Sequence, residues 1–454
     1  MNILIVSLFD DNFGDMLIRI CFERILRTVL KNLDVSDYTV DRMSLKRIDK
    51  DKITASDIVF FAGGGIFGLS YLNFFEYVDV ILQVAEDNEI PVIFSSLGIN
   101  NMNATKENEH RLAEMLKRSC IKSMSVRDNL ELFRHYARDC DFEIVPVCDP
   151  AVWAKYVYGR EIQRVRAGKN ENGCKIVGIN VVRGGLFKDN GKSWTLGTEE
   201  KYLFELKRML EDEGIDIRFF TNGLTLDDNT LNYFARKHEI PDEQCIYPHT
   251  AREAVEAVAG FDAVIAIRMH ASIISYALEI PSVDLMWNEK ISFFYKDIGY
   301  PDRALPLEEC TPELVFEKAK MLLADTGYAA GQNYMMSLYR NLYRVLSGLW
   351  HIEGGVPYCF EEVTKEVTRY GVSVDDDVID FRTKIERGKS RYLSLFIENR
   401  AAKEEIKETK QELKKQQREA EKLKQQLDRI NSLFVVRAYK KLPRTVRTLI
   451  RLGK

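Results

Sequence analysis

Through the first 150 residues, short apolar runs alternate with stretches in which apolar residues recur every three or four positions. The runs predict strands over Asn2–Leu8, Asp57–Ala62, Ile90–Ser95, Ile121–Val126 and Glu143–Val147. The periodic stretches predict helices over Met16–Val29, Leu72–Glu86, Lys106–Lys117 and Asn129–Ala137. Strand–helix alternation of this kind implies a parallel sheet wrapped by helices. The strands are apolar almost throughout, as expected when helices cover both faces of a sheet.

The alternation then restarts. Lys175–Val181, Ile215–Thr221, Asp262–Ile267 and Ser282–Met286 read as strands. Lys201–Glu211, Asp228–Lys237, Arg252–Ala259, Ala271–Leu278 and Thr311–Ala324 read as helices. The polar stretch Arg160–Gly173 between the halves reads as a linker. The predicted fold is α/β: two Rossmann-like domains, residues 1–160 and 174–330, facing a cleft. Open parallel sheets bind ligands at the carboxyl ends of their strands, so chemistry is sought there.

Beyond residue 330 the pattern changes. Tyr334–Leu349 reads as a helix inside a mixed segment, 331–395. Residues 396–430 are dominated by Lys, Glu, Gln and Arg and lack Gly and Pro. Ile406, Leu413, Ala420, Leu427 and Phe434 recur every seven residues, with Leu423 and Ile430 in the offset seam and Thr409 and Gln416 interrupting it. That spacing predicts a short C-terminal coiled coil or a long exposed helix, and a coiled coil could pair the chain with its own copies as a homo-oligomer or with another protein. The tail, 431–454, carries seven Lys or Arg and no acid from Ser432 onward, interleaved with Phe434, Val435, Val436, Leu442, Val446, Leu449 and Ile450. It reads equally as an element lying on an anionic membrane surface or as a solvated tail or helix docked on an acidic partner.

The 454 residues are 46% hydrophobic and carry a formal net charge of −4, which disfavours a nucleic-acid partner. Eight scattered cysteines without a CxxC pair read as reduced thiols of a cytoplasmic protein, and Cys148 as a small buried hydrophobe. The opening run stops at an acidic loop and has no basic stretch before it, so it does not read as an export signal. No apolar stretch reaches membrane-spanning length, and no cysteine–histidine cluster suggests a metal.

Candidate chemistry sits at the predicted strand ends. After the first strand comes Asp10-Asp-Asn12-Phe-Gly14-Asp15, where a tight turn opens a helix with free N–H groups. After the second comes Gly63-Gly64-Gly65, which suits close backbone approach to an anion and equally a flexible turn. Arg127-Asp128 follows another strand; the arginine could hold a carboxylate or phosphate, or pair with Asp128 at a helix start. Asp149, before Pro150, could be a base or a cap. Strand Asp262–Ile267 delivers Arg268 and His270 two residues apart, so the two would point the same way if the strand continues. With a helix N-terminus and a protonated histidine, this would be an anion site holding a titratable proton donor. Lys290, after the next strand, could join it. The other five histidines read as surface or structural.

Together these elements resemble the polysaccharide pyruvyl transferase family over roughly residues 1–325. The matching pieces are Asn12-Phe-Gly14-Asp15, Gly63-Gly64-Gly65, Ser125-Val-Arg127-Asp128, Asp149-Pro-Ala, Arg268-Met-His270-Ala and Trp287-Asn-Glu-Lys290. The family commonly has tyrosine where this chain has Trp287, and its first loop is richer in glycine. The resemblance implies a two-Rossmann architecture like that of two-domain (GT-B-like) glycosyltransferases. It implies transfer of the pyruvyl group of phosphoenolpyruvate, a co-substrate, onto two sugar hydroxyls as a cyclic ketal, with no further cofactor. The chemistry assigns the acid role to His270 and the anion clamp to Arg268, Arg127 and Lys290, with Asn12, Gly14 and the glycine run beside the donor. Asp15 or Asp149 would assist a hydroxyl. By analogy the acceptor is a polysaccharide or its lipid-linked precursor, which would suit a peripheral enzyme on the inner face of the membrane. Two rivals fit the same outline: a nucleotide-sugar glycosyltransferase, and a non-catalytic scaffold of a polysaccharide assembly complex.

Overall fold

A computed structural model describes residues 1–8, 12–68, 72–100, 104–169, 173–372 and 390–452. Parts of the predicted first loop, linker and mixed segment (9–11, 170–172 and 373–389), and the last two tail residues, lie outside them. The chain divides into two compact units, residues 1–397 and 398–454.

The first unit holds two six-stranded sheets, parallel throughout. Sheet one contains β1 (Asn2–Ser7), β2 (Thr39–Ser44), β3 (Ile58–Gly68), β4 (Val92–Asn100), β5 (Ile121–Val126) and β6 (Ile144–Pro146). Sheet two contains β7 (Ile176–Asn180), β8 (Asp216–Phe220), β9 (Cys245–Ile246), β10 (Ala263–Ala266), β11 (Ser282–Met286) and β12 (Ala304–Pro306). Their orders are β2-β1-β3-β4-β5-β6 and β12-β11-β10-β7-β8-β9. The order therefore reverses between β1 and β3 in one sheet and between β7 and β10 in the other. These are the points where doubly wound sheets open a crevice for ligands.

Central strands are buried along their length, as β1 and β10 are. Edge strands β2, β9 and β12 are short or half polar and carry no continuous apolar run. The stretch expected to be a linker is mostly the helix Gly159–Lys169. Its Ile162 is buried and Val165 approaches Gly260, so two apolar positions on one face outweigh the polar composition.

The segment after residue 330 returns to the first half. Helix Gln332–Leu349 supplies the Met335 carbonyl, which accepts from Trp153 Nε1 at 3.0 Å. Helix Phe360–Tyr370 places Glu366 2.5 Å from Lys31. All eight cysteines are free, and Cys148 is fully buried.

Ser390–Lys441 is one 52-residue helix, most of it in the second unit, with Ile406, Leu413, Leu423, Leu427 and Ile430 exposed. Pro443 interrupts the tail, so the predicted single basic element becomes the end of this helix plus a separate one, Arg444–Leu452. Among the described residues no helix is long and apolar enough to cross a membrane.

Candidate active site

A cavity of about 190 Å³ lies between the two sheets of the first unit, at both switch points. The first half contributes Asn12, Asp15, Gly65, Arg127 and Asp128; the second contributes Arg268, His270 and Lys290. Gly14 stands behind His270, whereas Gly63, Gly64 and Asp149 are not among the lining residues.

Asn12 caps the helix Phe13–Asn32, its Oδ1 accepting from the Gly14 N–H at 2.9 Å. The cap sets the helix N-terminus after β1 and puts Asp15 in its first turn. Burial raises the Asp15 carboxyl to about 6, against the pull of Arg127 and Lys290.

The glycine run is not a turn after the strand. It lies within β3, beside a register shift between Gly64 and Phe67. Gly63 and Gly64 have φ of 65° and 85°, which disfavours any other residue, and such irregular strand extensions are where glycine belongs. A Cβ on Gly63 would lie 2.6 Å from Ile18. Close packing of β3 on the first helix therefore accounts for Gly63, while Gly65 forms cavity wall.

Arg127 and Asp128 follow β5. The Arg127 N–H donates to the Leu97 carbonyl at 2.9 Å, continuing the strand pairing by one residue. Its Nη1 donates to Asp149, whose other oxygen accepts from the Ala151 N–H at 2.8 Å. Asp149 is thus a cap and an anchor for Arg127. Arg127 Nε is buried with no hydrogen-bond partner. Asp128 Oδ1 accepts from the Ile99 N–H at 2.9 Å. Both side chains lie over Gly98, where a Cβ would stand 2.6 Å from Asp128 Oδ2 and 3.1 Å from Arg127 Nε. Gly98 was legible only as a glycine near a strand end, a common mark of close approach.

Arg268 and His270 do not share a strand face, because β10 ends at Ala266. Arg268 occupies the N-cap position of helix Met269–Ala277 and His270 lies in its first turn, so helical geometry brings them to one cavity. Arg268 Nε and Nη2 donate to the two oxygens of Asp227 at 2.6 Å each, and its N–H donates to Asn180 Oδ1 at 3.0 Å. Sequence reasoning missed Asp227 and Asn180: an acid in a first helical turn reads as a dipole partner, and an asparagine ending a strand as a turn. Beside Asp227, Glu199 is buried, and burial followed by the Asp227 charge holds its carboxyl well above the usual range.

The His270 ring packs on Gly14, where a Cβ would stand 2.3 Å from Nδ1. Its Nε2 is buried and unpartnered. Burial, then Arg127, Lys290 and Arg268, hold its pKa well below the ordinary value, so the resting ring is neutral, not the imidazolium expected from sequence. Lys290, in helix Glu289–Asp297, has its Nζ 5.8 Å from the Trp287 ring centroid. Trp287 donates to the Ile267 carbonyl at 2.7 Å, tying the two segments together. Burial and then Arg127 lower Lys290 to about 8, with Asp128 opposing.

The resting site balances three cations against two lining carboxylates, with Asp149 and Asp227 behind them. It holds an unpartnered donor on Arg127 Nε and a neutral histidine with an unpartnered Nε2. That arrangement suits a small polyanion whose arrival brings protons with it.

A model of the family "polysaccharide pyruvyl transferase" matches residues 12–289, more than half the chain and all these elements except Lys290. No curated protein sequence matches. Among solved structures, UDP-GlcNAc 2-epimerase from Methanocaldococcus jannaschii, in complex with UDP-GlcNAc and UDP, is 13% identical, with a TM-score of 0.47 over 76% of this chain and 99% of that one. The UDP-GlcNAc 2-epimerase of Neisseria meningitidis bound to UDP-GlcNAc is 10% identical, with a TM-score of 0.49 over 77% of this chain and 100% of that one.

Proposed function

The chain belongs to the polysaccharide pyruvyl transferase family, and from that premise we propose that it transfers the pyruvyl group of phosphoenolpyruvate onto two hydroxyls of one sugar, closing a cyclic ketal. The observation that carries this reading is the convergence of Arg127, Arg268, His270 and Lys290, from both halves, on one small cavity. Its volume of about 190 Å³ falls below the ~300–1,000 Å³ usual for larger ligands. This favours a compact polyanion over a sugar nucleotide.

In the proposed reaction, a first hydroxyl oxygen bonds to the central carbon of the donor while the methylene carbon gains a proton. A second hydroxyl then bonds to the same carbon as its bond to the phosphate oxygen breaks. Two O–H bonds, one C–O bond and the π bond of the C=C break, and two C–O bonds, one C–H bond and one O–H bond on phosphate form. One hydroxyl proton ends on the new methyl group and the other leaves on hydrogen phosphate. His270, protonated once the donor anion offsets its cationic neighbours, delivers the methylene proton. Arg268, its guanidinium pinned by Asp227, and Arg127 with its unpartnered Nε clamp the carboxylate and phosphate. Lys290 shares that load, and Asp15 assists a hydroxyl.

Calorimetric titration with phosphoenolpyruvate, on wild type and Arg268→Ala, tests this. Binding by wild type and its loss in the variant are expected. A wild type that binds a UDP-sugar but no phosphoenolpyruvate overturns the reading in favour of glycosyl transfer.

The second unit suggests where the acceptor is met. Leu433, Phe434, Val435 and Val446 are exposed among basic residues, which fits an anionic membrane surface carrying a lipid-linked sugar. The exposed seam of the long helix fits a second copy of the chain as its cover.

A further inference from the structure

We propose that a second compartment of the same cleft, divided from the donor cavity by Arg127 and Asp128, is the acceptor-sugar subsite, with Phe293 as its stacking face and Asp128 as the carboxylate that receives the reacting hydroxyl. The inference rests on the donor reading above for the identity of its neighbour.

This compartment has a volume of about 350 Å³ and lies between the start of the helix after β5 and the helix Glu289–Asp297. Arg127 and Asp128 line both cavities. A sugar held in the second compartment therefore abuts the donor cavity at these two residues. The opposite wall has the same double use. Lys290 faces the donor cavity, while Phe293 and Asp297, three and seven residues further along the helix, line the second compartment.

The lining selects a neutral polyol. Its lining includes the acids Asp128, Glu131 and Asp297 against Lys296 and Arg127, whose Nη1 is already engaged by Asp149. A second phosphate or diphosphate would meet more negative than positive charge. A pyranose suits the site instead: its C–H face lies on the half-buried Phe293 ring and its hydroxyls donate to carboxylates. Asn129 joins this wall in a left-handed conformation, φ 40°, with no capping bond from its side chain.

Asp128 is 6% exposed. Its Oδ1 is taken by the Ile99 N–H, while Oδ2 stands 3.9 Å from Arg127 Nε. Gly98 has no side chain to displace that oxygen. Burial raises the carboxyl above its ordinary value, which strengthens it as a proton acceptor. The hydroxyl proton would pass to Asp128 as the oxygen bonds to the donor carbon, and return through the site to the departing phosphate.

The test uses the full chain and saturation-transfer NMR with four probes: the methyl glycosides of galactose, mannose, glucose and N-acetylglucosamine. Phosphoenolpyruvate affinity is measured calorimetrically alongside. At least one glycoside should receive saturation, and Phe293→Ala should weaken it at least tenfold while leaving phosphoenolpyruvate affinity within about twofold. Phe293→Trp, which keeps a stacking face, should restore glycoside binding. Retained donor binding also reports an intact fold in each variant. Phosphoenolpyruvate binding with no glycoside bound, or with glycoside binding indifferent to Phe293→Ala, overturns the subsite and leaves the donor reading standing. Glycoside binding that depends on Phe293, in a protein that binds no phosphoenolpyruvate, supports the sugar subsite and overturns the donor reading.

Discussion

Arg268 and Asp227 are 41 positions apart in sequence, yet joined by two parallel hydrogen bonds of 2.6 Å. Asp227 is fully buried and Arg268 half-buried, so the acid orients the base and cancels part of its charge. Asp227→Asn removes a negative charge near the donor but also loosens the guanidinium. Orientation should dominate, and phosphoenolpyruvate affinity should fall about tenfold, roughly 1.4 kcal/mol. Tighter binding by calorimetry would show that charge outweighs orientation.

Gly14→Ala would place a methyl group 2.3 Å from His270 Nδ1. The ring must swing away, because the glycine belongs to a helix that cannot yield. Phosphate release with acceptor present should drop by about 10²-fold or more, the scale of a lost general acid. Stability read from denaturant melts should fall by only about 1–3 kcal/mol of overpacking. Near-normal turnover would remove His270 from the reaction.

Donor binding should take up protons. Burial and then the surrounding cations hold His270 neutral and lower Lys290 to about 8, so an arriving polyanion, which acts on the charge part, raises both pKa values. Affinity should therefore weaken as pH rises through about 8, by up to about tenfold per unit for each proton taken up. Calorimetry near pH 7.5 in two buffers of different ionisation enthalpy reads the uptake directly. Equal heats in both would show that His270 stays neutral in the complex.

Asp284 accepts from Ser272 Oγ at 2.8 Å, and Tyr295 donates to the same hydroxyl at 3.0 Å. Burial raises Asp284 to about 7. A carboxyl raised on folding contributes its stability below its unfolded pKa and loses it as pH climbs to the folded value. Asp284→Asn should gain on wild type between about pH 4 and pH 7, levelling at up to roughly 4 kcal/mol. Denaturant melts across that range check it; a constant gap would mean that Asp284 does not titrate there.

The basic tail should carry the chain to anionic vesicles. Sedimentation with phosphatidylserine vesicles should fall steeply from about 0.05 M to about 0.5 M salt, as screening shortens. It should vanish when 431–454 are deleted. Salt-independent or absent binding would leave the tail to a protein partner.

The pattern along the chain determined the two runs of strand and helix, the long C-terminal helix and the strand-to-helix junctions that bear Arg127, Arg268 and His270. Those signals are local: a run of valines and isoleucines, or a three-to-four repeat, needs only its neighbours to be read. Edge strands such as β2, with Asp41 and Arg42 inside it, carry a weak apolar signal because one side faces solvent. The charge state of His270, the anchoring of Arg127 by Asp149 and of Arg268 by Asp227, and the room that Gly98 leaves for Asp128 belong to the tertiary structure alone. Each depends on distances between residues remote in sequence and on how far folding removes them from water. A string of residues encodes those quantities only through the whole fold.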